Sequence, residues 1–167
     1  MTKKLAIVDS DNKEIILAIK NYFESKDVEI QLVTQLDGKF DLVVLTGFET
    51  EFNIKNESKV LNIYPSILPA FKDCNPIKEA FLSGVKVSGV SVHQVLPDNF
   101  YDRILAQYPV LIGNTTHIDE FTKELFAVSN KLYPVVIDAV LNDKVFDFSD
   151  LFKSSCSGNC GGCNGCH

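Results

Sequence analysis

No apolar run in this sequence approaches the ~18 residues that a membrane span requires. The start, Met1 to Asp9, carries two lysines and too few apolar residues for a signal peptide. It reads instead as a first strand, and the compartment expected from it is the cytoplasm. Positive charge is also scarce: 16 Lys and Arg stand against 22 Asp and Glu, a net charge of −6. A large phosphate-backbone footprint is therefore not expected, and neither a nucleic acid nor a membrane is an expected partner. There are no internal repeats and no charge block long enough to act as an interaction tail. Intrinsic disorder of the body is excluded, because 46% hydrophobic and 23% charged residues are ordinary for a globular domain.

What remains is one domain of small-molecule type. A chain of 167 residues buries enough surface to fold without staples. Composition changes near residue 152, so the division expected is a domain over 1–152 and a Gly- and Cys-rich tail over 153–167. Four of the five cysteines lie in that tail.

Leu5 to Val8 is a short continuous apolar run, as in a buried parallel strand. Asp11 and Glu14 are spaced as a capping box, and apolar residues at 15, 16, 19, 22 and 23 follow a helical period. Strands are expected over Val28–Val33, Asp41–Thr46 and Val60–Tyr64, with a turn at Asp37-Gly38 and a stop at Pro65. A proline-rich loop leads to a short helix over Ile77–Leu82, ended by Ser83-Gly84. Val85–Val95 changes parity at Gly89, which predicts a bulge there. Ile104–Ile112 is a further strand whose Pro109 suits an edge. Thr116 and Asp119 are placed to cap a last helix starting near His117, with Leu125, Val128, Leu132, Val136 and Val140 on its apolar face. Alternating strands and helices in the first half predict a parallel sheet; two adjacent strands in the second half predict antiparallel pairing.

Two stretches carry more than a generic α/β pattern: Leu61-Asn-Ile-Tyr-Pro-Ser-Ile-Leu-Pro-Ala-Phe71 and Gly84-Val-Lys-Val-Ser-Gly-Val-Ser-Val-His-Gln-Val95. Together they resemble the glycinamide-ribonucleotide (phosphoribosylglycinamide) formyltransferase family, whose core motif reads Asn-x-His-Pro-Ser-Leu-Leu-Pro. Asp41 to Phe48 and Leu132-Tyr-Pro134 agree in order and spacing. Asn75-Pro76-Ile77 is closer to methionyl-tRNA formyltransferase relatives. The resemblance covers roughly residues 41–146. It implies an α/β formyltransferase-type three-layer fold, a parallel N-terminal sheet continued by antiparallel strands.

The resemblance also implies a chemistry. In the family an amine attacks the formyl carbon of 10-formyltetrahydrofolate, an Asn amide stabilises the oxyanion, a His moves protons and an Asp orients it. The expected partners are therefore folate and a small-molecule amine acceptor of the purine-biosynthesis type. Carried onto this chain, the catalytic set is Asn62, Tyr64, His93 and Asp98, and the folate contacts are Phe48, Phe52, Asn62 and Leu96. Tyr64 stands where the family has its His. A phenol with a reference pKa of about 10 donates a hydrogen bond but shuttles protons poorly at neutral pH. An ungapped match puts Phe100 at the catalytic Asp, with Asp98 and Asp102 two residues to either side. The turn after the first strand, Asp9-Ser-Asp-Asn12, replaces a Gly-rich phosphate turn, and Glu49-Thr-Glu-Phe52 replaces a segment with an arginine. The function expected is formyl transfer with impaired turnover. The alternative is a non-catalytic module of the same fold whose tail senses metal or redox state.

The tail places Cys156, Cys160, Cys163 and Cys166 in a C-x3-C-x2-C-x2-C pattern followed at once by His167. Soft thiolates at this spacing suit Zn or an Fe–S cluster, with Gly and Ser between them free to fold around an ion. Cys74 and His117 read as incidental: no base neighbours the thiol in sequence, and the histidine falls at a helix start.

Overall fold

The computed structural model describes residues 2–8, 10–35, 38–47, 59–72, 75–96, 99–149 and 151, with backbone alone at 99–102. Asp9, Asp37, Phe48, Phe52, Cys74, Asp98, the boundary at Phe152 and the whole cysteine tail lie outside the described residues.

The elements are β1 (Lys3–Val8), α1 (Lys13–Phe23), β2 (Val28–Val33), β3 (Leu42–Val44), β4 (Lys59–Tyr64), α2 (Pro76–Leu82), β5 (Val87–Leu96), β6 (Asn99–Leu111) and α3 (Ile118–Leu141). They build one six-stranded sheet in the order β2-β1-β3-β4-β5-β6. β1 pairs in parallel with β2 and β3, and β3 with β4. β4–β5 and β5–β6 are antiparallel. The parallel half and the antiparallel continuation are as the alternation predicts.

Period-two alternation sorts the strands into two cores. Leu5, Ile7, Leu42, Val44, Leu61, Ile63, Val90 and Val92 face one way, and residues of α1, α2 and α3 pack on them. Ala6, Val8, Val43, Leu45, Val60 and Val95 form a second buried cluster. Every residue of β3 is buried, as expected of a strand in the middle of a sheet with both faces covered. The connection from β3 to β4 runs through residues 48–58, outside the described residues.

Four local expectations are corrected. α1 is capped by Asn12, not Asp11: the Asn12 carboxamide oxygen accepts from the Ile15 N–H at 3.5 Å. The cap moves one residue on because the Asp11 carbonyl is already taken by the Lys13 N–H. β3 is shorter than Asp41–Thr46. Its flanks keep backbone bonds, Asp41 N–H to the Lys4 carbonyl and Leu45 N–H to the Leu61 carbonyl, each at 2.9 Å, and add side-chain ones: the Asp41 carboxylate accepts from the Lys4 N–H at 2.7 Å, and Thr46 donates to the Val8 carbonyl at 3.0 Å. Gly89 is not a bulge. The register shifts lie between Val92 and His93 and between Gln94 and Leu96, and Gly89 serves a close approach: a Cβ there would sit 2.1 Å from the Tyr108 carbonyl oxygen. Finally, His117 and not Thr116 is the N-cap of α3, because the Thr116 hydroxyl accepts from the Gly113 N–H while Glu120 accepts from the His117 N–H.

A candidate active site at the ends of the parallel strands

Asn62 and His93 face each other across the β4–β5 ladder, with Tyr64 opposite Ser91 two residues on. Side chains of such register partners stand about 4.5–5.5 Å apart at Cβ. Asn62 and His93 are fully buried, and Tyr64 nearly so. All four lie on the sheet face of the second cluster, because they alternate with Leu61, Ile63, Val90 and Val92. The Ile63 N–H donates to the Asn62 carboxamide oxygen at 2.9 Å. That bond fixes which end of the amide is oxygen. The Nδ2 donor is then buried with no partner among the described residues. Such a donor costs about 1–3 kcal/mol while it waits.

Past Tyr64 the chain turns through Pro65 and a cis Leu68-Pro69 bond. Ser91 holds this loop on the sheet. Its hydroxyl donates to the Ser66 carbonyl at 2.7 Å and accepts from the Leu68 N–H at 3.0 Å. The Gln107 amide on β6 donates to both the Ser91 oxygen and the Leu68 carbonyl, each at 2.9 Å. Ser66 closes its own turn by donating to the Ala70 carbonyl at 2.6 Å. The Pro-Ser-Ile-Leu-Pro part of the motif is thus a structural clamp, and the Asn62 and Tyr64 part is the polar surface that it positions.

At the same end of the sheet, β1 and β3 diverge: β1 leads outward to β2, while β3 leads inward to β4. Ligands of open α/β sheets bind at such a switch point. Here a chain of hydroxyls crosses it. The Asn12 N–H donates to Ser10 Oγ at 3.2 Å, and Ser10 and Thr46 are 2.7 Å apart. Thr46 spends its proton on the Val8 carbonyl, so Ser10 is the donor to Thr46.

Behind the site, Tyr133 on α3 is fully buried, and its hydroxyl lies 2.9 Å from the Leu45 carbonyl and 3.0 Å from the Leu61 carbonyl. Burial raises its pKa well above 10.0, so it is a neutral donor throughout the physiological range. In the sequence, Leu132-Tyr-Pro134 stands out only by its order and spacing. Its tyrosine ties that helix to the ends of β3 and β4. Tyr22, Lys26 and Asp138 join α1 to α3 on the far side, with Lys26 and Asp138 at 2.8 Å.

The structure therefore brings together Asn62, Tyr64 and His93. Leu96 closes β5, half-buried. Asp98, Phe48 and Phe52 lie outside the described residues, as do Cys156, Cys160, Cys163, Cys166 and His167. His117 is exposed, as expected of a helix start. Ser10, Thr46, Ser91, Gln107 and Tyr133 were not anticipated. Their signals were weak, being single hydroxyls or amides at strand ends with partners remote in sequence. Among the described residues no group of three or more His, Cys, Asp or Glu is placed to hold a metal, and no helix is long and apolar enough to cross a membrane. A cavity of about 640 Å³ between α1, α3 and β6, lined by Tyr22, Tyr108, Val128 and Pro134 among others, contains none of the residues named for the chemistry.

Comparison with known proteins settles the lineage. Residues 7–137 match the formyl transferase family model. The chain belongs to the formyl transferase family. A phosphoribosylglycinamide formyltransferase of Haemophilus influenzae is 30% identical over 77% of this chain and 57% of its own length. The Bacillus subtilis enzyme of that name is 35% identical over 50% of this chain and 43% of its own. The chain thus matches only about half the length of these formyl transferases. Solved structures agree on the fold: a phosphoribosylglycinamide formyltransferase from Bacillus halodurans superposes with a TM-score of 0.73 over 87% of this chain and 100% of that one, at 24% identity. A 4-N formyltransferase from Francisella tularensis gives 0.74 over 87% of this chain and 72% of that one, at 22% identity.

Proposed function

We propose that this formyl transferase moves a formyl group from 10-formyltetrahydrofolate to the amine of a small-molecule acceptor. The amine nitrogen attacks the formyl carbon, the bond from that carbon to N10 of the folate breaks, and the proton lost by the amine ends on N10. The products are tetrahydrofolate and a formamide. The observation that carries this reading is the buried, unpartnered Asn62 Nδ2. A donor held in place by Ile63 and left open is suited to the oxyanion of a tetrahedral intermediate, where electrostatic stabilisation is largest.

Tyr64 places a phenol hydroxyl two residues beyond this amide donor on the same strand face, and His93 with Asp98 carries the proton movement. Phe48, Phe52 and Leu96 are the folate contacts that the resemblance to the family implies. With a phenol in place of an imidazole at residue 64, proton transfer is slow and turnover is below what an imidazole there would give. The test is formyl transfer from 10-formyltetrahydrofolate by the wild type and Asn62→Ala. Loss of ~10²–10³ in rate is expected for removal of one oxyanion donor. Equal rates for the two proteins would end this reading.

A second reading is carried by the tail alone. Cys156, Cys160, Cys163 and Cys166, followed by His167, bind one thiophilic centre, Zn or Fe–S, and report metal or redox state. Metal analysis of the full chain beside a Cys160→Ser, Cys163→Ser variant tests it. Stoichiometric metal lost in the variant, with formyl transfer retained, supports a separate centre; equal metal content in both rejects it.

A further inference from the structure

The ladder between β3 and β4 stops one bond short, beside Asn62. The two strands pair as far as Val44 and Leu61, and the Leu45 N–H still donates to the Leu61 carbonyl at 2.9 Å. In a continued parallel ladder the Leu45 carbonyl would next accept from the Ile63 N–H, two residues further along β4. Leu45 lies outside the ladder, and its carbonyl has another donor. The Ile63 N–H goes to the Asn62 carboxamide oxygen at 2.9 Å, and the Leu45 carbonyl accepts from the Tyr133 hydroxyl at 2.9 Å. That hydroxyl also lies 3.0 Å from the Leu61 carbonyl. The Leu61 carbonyl already has the Leu45 N–H, so the Leu45 carbonyl is the acceptor that depends on Tyr133. Leu45, Asn62, Ile63 and Tyr133 are all fully buried, so each polar group must find its partner within the protein.

The exchange of partners decides how the amide stands. With its oxygen on the Ile63 N–H, the carboxamide has one orientation, and Nδ2 is left as its open end. Were the ladder to run on, the oxygen would lose that N–H and nothing on β4 would distinguish the two ends of the amide. We propose that Tyr133 is a positioning residue for Asn62: by occupying the Leu45 carbonyl it leaves the Ile63 N–H to the Asn62 oxygen, and so presents Nδ2 to the formyl oxygen. Tyr133 belongs to the core on the opposite face of the sheet. It acts through two peptide groups and not on the substrate.

The inference rests on the formyl-transfer reading, and the experiment separates the two. Formyl transfer from 10-formyltetrahydrofolate to phosphoribosylglycinamide is measured for the full-length wild type, Tyr133→Phe, Asn62→Ala and the double variant, at a temperature where urea transitions show all four folded. Without the hydroxyl, the Leu45 carbonyl and the Asn62 oxygen compete for one N–H. The expected result for Tyr133→Phe is a fall in kcat of ~10²-fold, the scale of a misplaced group, with KM for both substrates unchanged. In the Asn62→Ala background the same substitution should have almost no effect, because the amide that it positions is gone. A tyrosine that only supports the fold would lower the rate by the same factor in both backgrounds. Such additivity, or an unchanged kcat in Tyr133→Phe, overturns the inference. A second measurement needs no variant. In isotope-labelled wild type, the scalar coupling transmitted across the hydrogen bond is read at the Ile63 nitrogen. Coupling to the side-chain carbonyl carbon of Asn62 is expected, and coupling to the carbonyl carbon of Leu45 in its place overturns the inference. Absence of transfer by the wild type ends the formyl-transfer reading and the catalytic role of Tyr133 with it, whichever coupling Ile63 shows.

Discussion

The hydroxyl of Tyr133, midway along the last helix, reaches the carbonyl of Leu45 at 2.9 Å across the core. Leu45 in turn donates its N–H to the Leu61 carbonyl at 2.9 Å, one residue before Asn62. The helix that closes the fold is therefore bonded directly to the strand that carries Asn62.

Removing that hydroxyl by Tyr133→Phe leaves a buried carbonyl short of a donor and is expected to cost about 1–3 kcal/mol, read from the midpoint of a urea transition. It also changes the alkaline limb. The folded-state pKa of Tyr133 is raised above 10.0 by burial, so above that pH the unfolded chain gives up a proton that the native state keeps. Stability from this group is complete below pH 10.0 and falls as pH rises from there toward the folded value. The Phe variant should show a shallower loss over that window, by one proton's worth of slope; identical slopes would show that Tyr133 does not contribute.

Gly89→Ala is expected to be severe. Its Cβ would lie 2.1 Å from the Tyr108 carbonyl oxygen and 2.7 Å from Ile67 Cδ1, and the first of these is backbone. A loss of ~3 kcal/mol or more, or failure to accumulate as soluble protein, is expected for such overpacking. Gly84→Ala is the control. It has a φ of +73° but nothing within 4 Å, so it should cost only about 1 kcal/mol.

Ser91→Ala cuts the clamp on the loop after β4. The Leu68 N–H and the Ser66 carbonyl both lose a partner. Amide hydrogen exchange should show Leu68 deprotected while strand amides of β1 keep their rates. Protection at Leu68 unchanged from wild type would mean that Gln107 alone holds the loop.

Tyr64→His restores an imidazole where the phenol stands. If proton movement limits turnover, the variant should gain roughly 10²-fold in rate at neutral pH, with a new pH dependence near the ordinary histidine range. No gain, with Asn62→Ala still inactive, would show that Tyr64 suffices as a donor and that another group moves the proton.

The strands and helices were largely legible because their signals are local. Apolar runs marked β1 and β4, a 3.6-residue period marked α1 and α3, and Pro65 and Gly84 marked stops. The resemblance of two quoted stretches named Asn62 and His93 as site residues, but that they face each other across β4 and β5 came only with the register of the sheet. The caps and the hydroxyl chain were not legible. Asn12 outcompetes Asp11 only because of bonds made by Ser10 and the Asp11 carbonyl, and Thr46 meets Val8 from the neighbouring strand. Gly89 carried a true signal of backbone need, yet parity alone could not distinguish a bulge from a close approach by Tyr108.

That approach has a bearing on strand alignment. A hairpin's register is ordinarily set at its turn, and the β5–β6 hairpin has a second reference mark at its open end. Gly89 lies opposite Pro109, and there the strands come so close that no side chain fits. A slip by one residue would bring Ser88 or Val90 against the Tyr108 carbonyl and carry Gln107 away from Ser91. The same missing Cβ thus holds the two strands in one alignment and, through it, the loop beside Asn62.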